Sequence, residues 1–185
     1  MSTLSPKPKK YKILIMGLDN SGKTSILISL SKDSNLLSYC SIKPTIGCDI
    51  KTVDTEDSLI SIWDFGGQAK FREEYLINFQ NYLEGANKII FVIDVQDVNR
   101  YELALEYFEN IINLLKEGGY NIELSIFLHK YDPNLSMKEE FKKIDEIVES
   151  KLINELIGII PPEFDYKLFK TSIYTVFDKY LIQMK

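Results

Sequence analysis

A short apolar run, Tyr11 to Met16, passes directly into Gly17, four residues, then Gly22-Lys23-Thr24 and a helix-patterned stretch from Gly22 to Ser31. No other segment constrains the fold as strongly. Two glycines five apart, followed by lysine and a hydroxyl between a strand and a helix, let backbone N–H groups turn inward around an anion at the helix N-terminus. The candidate phosphate-binding loop is therefore Asp19, Asn20, Ser21, Gly22, Lys23, Thr24 and Ser25. The N–H groups from Asn20 to Thr24 are placed to converge on phosphates, the Lys23 ammonium suits β- and γ-oxygens, and the Thr24 hydroxyl suits Mg²⁺.

The rest of the chain alternates strand and helix patterns. Ile46 to Val53 and Leu59 to Trp63 read as a hairpin, Lys88 to Asp94 as a strand, and Tyr101 to Lys116 as a helix with Ala104, Phe108, Ile111 and Leu115 on one face, ended by Gly118 and Gly119. Ile122 to Leu128 is the next strand. Met137, Phe141, Ile144, Val148, Leu152 and Leu156 recur at three or four residues and predict one long core-facing helix, stopped by Gly158 and Pro161-Pro162. Tyr166 to Phe169 and Ser172 to Met184 predict a last strand and helix. The expected fold class is α/β, a P-loop NTPase with a mostly parallel central sheet of about six strands and helices on both faces. The expected organisation is a flexible tail over 1–10 and one domain over 11–185, ligands lying at the strands' carboxyl ends.

Asp64 follows the apolar strand Leu59 to Trp63 and lands on that edge, where a carboxylate can hold Mg²⁺ directly or through water. Gly66 and Gly67 allow backbone to approach a γ-phosphate, and Gln68 is placed to orient an attacking water. Thr45, between Pro44 and Ile46, adds a hydroxyl for the metal and an N–H for the phosphate. The expected metal ligands are thus Thr24, Thr45 and Asp64. After the strand that ends near His129, Asp132 can accept two hydrogen bonds from guanine N1–H and its exocyclic amine, a donor pair that adenine lacks. The Lys130 stem can lie along the base. His129 can hydrogen-bond toward the phosphate loop or the base, or serve only in packing.

Taken together, GLDNSGKT (17–24), PTIG (44–47), WDFGGQ (63–68) and HKYD (129–132) resemble the Ras superfamily of small GTPases, over Lys12 to Tyr180. The first three motifs, and the spacing from Thr45 to Trp63, are similar to the Arf branch. HKYD and TSIY (171–174) are similar instead to the Rag/Gtr branch, where His replaces the usual Asn. The resemblance implies GTP/GDP and Mg²⁺ as ligands, Ser172 and Ile173 backbone facing the guanine oxygen, and slow hydrolysis with Asp19 crowding the route of an external arginine finger. It also implies an interswitch that slides in register between nucleotide states. Exchange factors, activating proteins and effectors are implied as partners. Arf's exposed aromatic triad maps onto Cys48, Trp63 and Asn78, so Arf effectors do not carry over. A nucleotide-bound or heterodimer-forming Rag-like module with little hydrolysis is the second reading.

Composition removes other classes. Net charge of −5 gives no general attraction to nucleic acid, so a polyanionic ligand needs local groups. Cys40 and Cys48 have no metal-ligand spacing, and reduced thiols in a cytoplasmic setting fit them. A nucleotide kinase would need an Arg-rich lid, whereas this chain has only Arg72 and Arg100. MSTLSPKPKK has no apolar signal region and Ser2 accepts no myristate; its lysines support only weak, peripheral membrane contact. A monomer is expected, with a dimer as the alternative.

Overall fold

Alternation along the strands decides the layering. The structure, a computed structural model, describes residues 8–31, 34–55 and 57–174. In β1 (Lys9–Met16), Leu14 and Met16 face one side of the sheet, and Ile13 and Ile15 the other. β4 (Lys88–Asp94) repeats this with Ile89, Phe91 and Ile93 opposite Ile90 and Val92. Strands that are apolar on both sides must be covered on both sides, which favours parallel pairing with helical crossovers.

The sheet has six strands in the order β2-β3-β1-β4-β5-β6, completed by β2 (Cys48–Asp54), β3 (Ser58–Phe65), β5 (Glu123–His129) and β6 (Tyr166–Lys170). Every pairing is parallel except that of β2 with β3. Register sets Ile15 beside Asp64, and Asp94 beside His129. The ends of successive strands therefore share one edge. β1 sits between β3 and β4, so its carboxyl end is the point where chain order reverses, the place such sheets leave a crevice.

The larger core layer is built by α5 (Tyr101–Glu117), α6 (Ile144–Val148) and α7 (Asn154–Ile159). Tyr75 of α3 (Ala69–Ile77), with Phe79 and Leu83 of α4 (Phe79–Leu83), joins the same core. α5 is the best-defined amphipathic helix: Ala104, Phe108, Ile111 and Leu115 are buried, Glu102 and Lys116 complement its two ends, and Gly119 at φ 65° closes it. On the opposite face, α1 (Lys23–Ser29) lays Ile26 and Leu27 on Ile15, Ile62 and Val92. α2 (Leu36–Cys40), capped by Asn35, buries no residue.

Several expectations are corrected. β1 begins at Lys9, so Lys9 and Lys10 belong to the sheet and pair with Ser58 and Leu59 rather than to a tail over 1–10. The long helix from Met137 is broken: 3₁₀ turns at Leu135–Met137 and Glu139–Phe141 precede α6, and a π turn at Glu149–Ile153 joins α6 to α7. Lys138, at φ −77° and ψ 136°, is extended and cannot continue a helix. Met137 is 79% exposed, while Ile144, Val148, Leu152 and Leu156 form the expected core stripe. The final helix expected over Ser172 to Met184 falls, from Thr175 onward, outside the described residues.

Candidate nucleotide-binding site

The loop between β1 and α1 forms one wall of a cleft of about 320 Å³, lined by Asp19, Asn20, Gly22, Lys23, Thr24 and Ser25. Ile42 to Thr45, with Gly67 and Gln68, form the facing wall. Two left-handed residues, Asn20 at φ 59° and Gly22 at φ 96°, turn the loop inward and start α1. Ser21 is buried beneath, and its Oγ has no partner among the described residues.

Lys23 is 5% exposed, and its ammonium donates to the carbonyls of Gly17 at 3.0 Å and Leu18 at 2.6 Å. Burial pushes its pKa down to about 8, against the attraction of Asp64 and Asp19. An ammonium held in so dry a place gains most from an anion beside it.

Opposite lies a group of oxygens. Thr24 Oγ1 donates to Asp64 Oδ2 at 2.7 Å, Thr45 Oγ1 donates to the same oxygen at 3.3 Å, and the two hydroxyls are 3.1 Å apart. Asp64 is 1% exposed and its Oδ1 has no partner among the described residues. Burial pushes its carboxyl pKa up, while the Thr24 hydrogen bond, Lys23 and Thr45 pull it back. One buried carboxylate with an orphaned oxygen and two convergent hydroxyls is a hard donor set, the kind that fits Mg²⁺ shared with phosphate oxygens. Among the described residues no group of three or more His, Cys, Asp or Glu suggests a different metal.

Gly66 and Gly67 allow the two walls to touch. A Cβ on Gly66 would lie 2.4 Å from the Thr45 carbonyl oxygen, and one on Gly67 would lie 2.1 Å from Asp19 N. Asp19 N–H donates to Gly67 O at 3.1 Å, Gly66 N–H to Gly47 O at 2.9 Å, and Tyr75 Oη–H to Gly47 O at 2.7 Å. The segment around Thr45, the glycine turn and α3 are therefore mechanically linked. Gln68 is half-buried at the start of α3, and its side chain makes no capping hydrogen bond.

A second group gathers at the ends of β5 and β6. Ser172 Oγ donates to Asp132 Oδ1, and Gln96 Nε2 donates to Asp132 Oδ2 at 2.9 Å and to the Lys130 carbonyl at 2.7 Å. Lys130, left-handed at φ 61°, sends its ammonium to Asp94 Oδ2 at 2.6 Å. His129 is 3% exposed, and burial lowers its pKa, favouring the neutral ring. Its Nδ1 lies 2.9 Å from Thr171 Oγ1, and a Cβ on Gly22 would lie 2.4 Å from its Cδ2. His129 thus wedges the end of β5 and the segment after β6 against the loop between β1 and α1. It also joins the HKYD segment to the TSIY segment through Thr171. Ile173 packs its side chain on the α1 face of the core.

The fold belongs to nucleotide-binding α/β proteins, and comparison with known proteins gives the family. The family model described as "ADP-ribosylation factor family" matches residues 1–175. The chain belongs to the ADP-ribosylation factor family. It is an Arf-family small GTPase, and with that membership come guanine-nucleotide binding, GTP hydrolysis and GTP-dependent switching as the family's activities. Among relatives, ADP-ribosylation factor J of Dictyostelium discoideum is 31% identical over 148 residues, covering 80% of this chain and 71% of that protein. ADP-ribosylation factor-like protein 2 of Arabidopsis thaliana is 35% identical over 129 residues, covering 70% and 64%. The structure of the Arl6 BBS3 small GTPase from Trypanosoma brucei, with bound GppNp, superposes with a TM-score of 0.66 at 23% identity, covering 89% of this chain and 87% of that one.

Three polar residues of this Arf-family site carry no sequence motif of their own: Asp94, Gln96 and Arg100. Asp94 ends β4, and Gln96 and Arg100 follow in the segment after it, which reaches both halves of the site. The single signal for them is that polar residues, interspersed with Val95 and Val98, follow an apolar strand. Of the positions that correspond to Arf's aromatic triad, Trp63 is half-buried, with Lys12 Nζ 4.1 Å from its ring centroid. No helix among the described residues is long and apolar enough to cross a membrane.

Proposed function

We propose that this protein is a molecular switch that binds GTP and GDP together with Mg²⁺ and hydrolyses GTP slowly. The observation that carries the proposal is the convergence of the Thr24 and Thr45 hydroxyls on buried Asp64, whose Oδ1 is left without a partner among the described residues. Thr24, Thr45 and Asp64 hold the metal, which would neutralise charge on the phosphate oxygens. Lys23 and the N–H groups from Asn20 to Thr24 bind the phosphates; Asp132, steadied by Ser172 and Gln96, reads the base. The Trypanosoma neighbour's GppNp supports the nucleotide class.

Switching follows from the linkage between the walls. Thr45 belongs to the segment Leu36 to Gly47, and Gly67 to Phe65 to Gln80; both segments border the cleft and touch through Gly66 and Gly47. Loss of a γ-phosphate removes the ligand that both share, and the two segments rearrange together. The altered surface is what exchange factors, activating proteins and effectors read.

Gln68 orients the attacking water. Its uncapped side chain is not fixed by the fold, and Asp19 stands at the mouth of the cleft, so the unaided reaction is slow. Gln68→Leu is expected to leave GTP affinity within about twofold and lower the single-turnover hydrolysis rate by about 10-fold or more, an effect of roughly 1.4 kcal/mol. An unchanged rate removes Gln68 from this role. The Rag-like reading, a nucleotide-bound or heterodimer-forming module whose HKYD and TSIY segments are joined by the His129–Thr171 pairing, expects little turnover from the unaltered protein in the same assay.

A further inference from the structure

The chain's only two arginines bond to Asp19 and Gly67, two residues that line the cleft and are hydrogen-bonded to each other. Arg72 Nη1 donates to Gly67 O at 2.8 Å, and the same oxygen accepts Asp19 N–H at 3.1 Å. From the other side, Arg100 Nη1 donates to Asp19 Oδ1 at 3.1 Å and Nη2 to the Asp19 carbonyl at 3.3 Å. Arg100 is itself fixed by Asp97, with Nε and Nη2 each 2.5 Å from Asp97 Oδ2. Continuous hydrogen bonding thus runs from α3 through Gly67 and Asp19 to the turn after β4.

We propose that Arg100 is a positioning residue for the phosphate-binding loop: by holding Asp19 through both its carboxylate and its carbonyl, it sets the preference between nucleoside triphosphate and diphosphate. The inference rests on the nucleotide-binding reading above. Its first basis is peptide geometry. In a trans peptide the C=O of Asp19 and the N–H of Asn20 point in opposite directions, so a carbonyl anchored on Arg100 turns the Asn20 N–H away from Arg100. Asn20 lines the cleft, and its left-handed backbone, φ 59°, preserves that orientation. A released carbonyl could rotate inward and present a negative oxygen to phosphate.

The second basis is charge. Asp19 also lines the cleft and is half-exposed, so its carboxylate faces the same space as a polyphosphate. A guanidinium can meet Asp97, the Asp19 carboxylate and the Asp19 carbonyl at once because its donors form a planar fork; an ammonium cannot. Freed of Arg100, the Asp19 charge repels the extra negative charge of a triphosphate more than that of a diphosphate. Arg100 therefore affects triphosphate binding without needing to touch it.

The test measures affinities of mant-labelled GDP and of a mant-labelled non-hydrolysable GTP analogue, both with Mg²⁺, for the full chain and its variants. Arg100→Ala is expected to weaken the triphosphate analogue about 10-fold and GDP at most about threefold. Arg100→Lys should behave like Arg100→Ala. Asp19→Asn keeps a carbonyl-type acceptor for Arg100 and removes the charge; on that background Arg100→Ala should change the triphosphate-to-diphosphate preference by a clearly smaller factor than in the otherwise unaltered chain, the remainder coming from the freed Asp19 main-chain carbonyl. If Arg100→Ala does not fold, Arg100→Gln retains the stem and one donor group and carries the same expectation. Equal losses for both nucleotides, additive effects of the two substitutions, or full rescue by lysine each overturn the proposal. Failure of the unaltered chain to bind either nucleotide overturns the nucleotide-binding reading instead, so the two failures are distinguishable.

Discussion

Asp132→Asn is expected to lower GTP affinity by about 100-fold or more and to raise affinity for xanthosine triphosphate above that for GTP. The magnitude follows from losing charged hydrogen bonds of roughly 1.5–3 kcal/mol each to the N1–H and amine of guanine. Xanthine presents a carbonyl where guanine has its amine, and the new amide N–H can donate to it. The surroundings sharpen the expectation. Ser172 and Gln96 both donate to Asp132, so an Asn side chain that keeps its oxygen toward Ser172 turns its NH₂ toward the Gln96 amide. Gln96 must then reverse its own amide and give up its bond to the Lys130 carbonyl. Competition of unlabelled GTP, xanthosine triphosphate and ATP against a fluorescent nucleotide reads the change. Guanine selectivity retained in the variant would remove Asp132 as the base reader.

Gly67→Ala is expected to act on the other half of the site with a smaller effect that depends on the nucleotide. Its Cβ would lie 2.1 Å from Asp19 N and 2.2 Å from Leu18 C, and backbone on that side has no rotamer to adjust. Overpacking of this kind costs about 1–3 kcal/mol and moves one wall off the other. The hydrogen bond from Asp19 N–H to Gly67 O breaks first, which uncouples α3 from the phosphate loop. Binding of a non-hydrolysable GTP analogue should fall about 10-fold while GDP binding falls much less, because Gly67 borders the region that a third phosphate occupies in the proposed mode. Equal affinities in variant and unaltered protein would show that the glycine turn does not follow the nucleotide.

Some parts of this architecture were legible from sequence because their physical signals are local. The period-2 and continuous apolar runs of β1, β4 and β5 need no tertiary context, and β4 over Lys88–Asp94 lies where its pattern puts it. The phosphate loop reads equally well, since its glycines, Lys23 and Thr24 answer backbone requirements within eight residues. α3 left no such signal: among its nine residues only Tyr75 is buried, so no apolar repeat marks a helix. The opposite failure occurred at Met137 and Phe141. They continue the spacing of Ile144 to Leu156, but periodicity reports a shared face and is blind to the extended Lys138 between them.

The site divides along the same line. Thr24, Thr45 and Asp64 were readable because each sits in a motif with its own chemistry, and the structure brings the three together. Gln96 and Arg100 were not, nor was the pairing of Thr171 with His129, because these roles exist only through pairs distant in sequence: Gln96 with Asp132, Arg100 with Asp19, and His129 with Thr171. A polar residue in a turn gives no sign of which strand end it will meet. The same limit applied to His129, whose two possible partners were both open. Its ring packs on Gly22 of the loop between β1 and α1 and is bonded, on its other edge, to Thr171.

The proposed function stands on buried Asp64 completing, with Thr24 and Thr45, a Mg²⁺-dependent guanine-nucleotide site capable of turnover. The decisive experiment is to purify the protein, release and identify the bound nucleotide by chromatography, reload with GTP, and follow conversion to GDP with Mg²⁺ present or chelated. The expected result is GDP or GTP in the extract, slow GDP formation with Mg²⁺, and faster nucleotide release with a chelator. An adenine nucleotide in the extract, or guanine-nucleotide release and turnover indifferent to Mg²⁺, would contradict it.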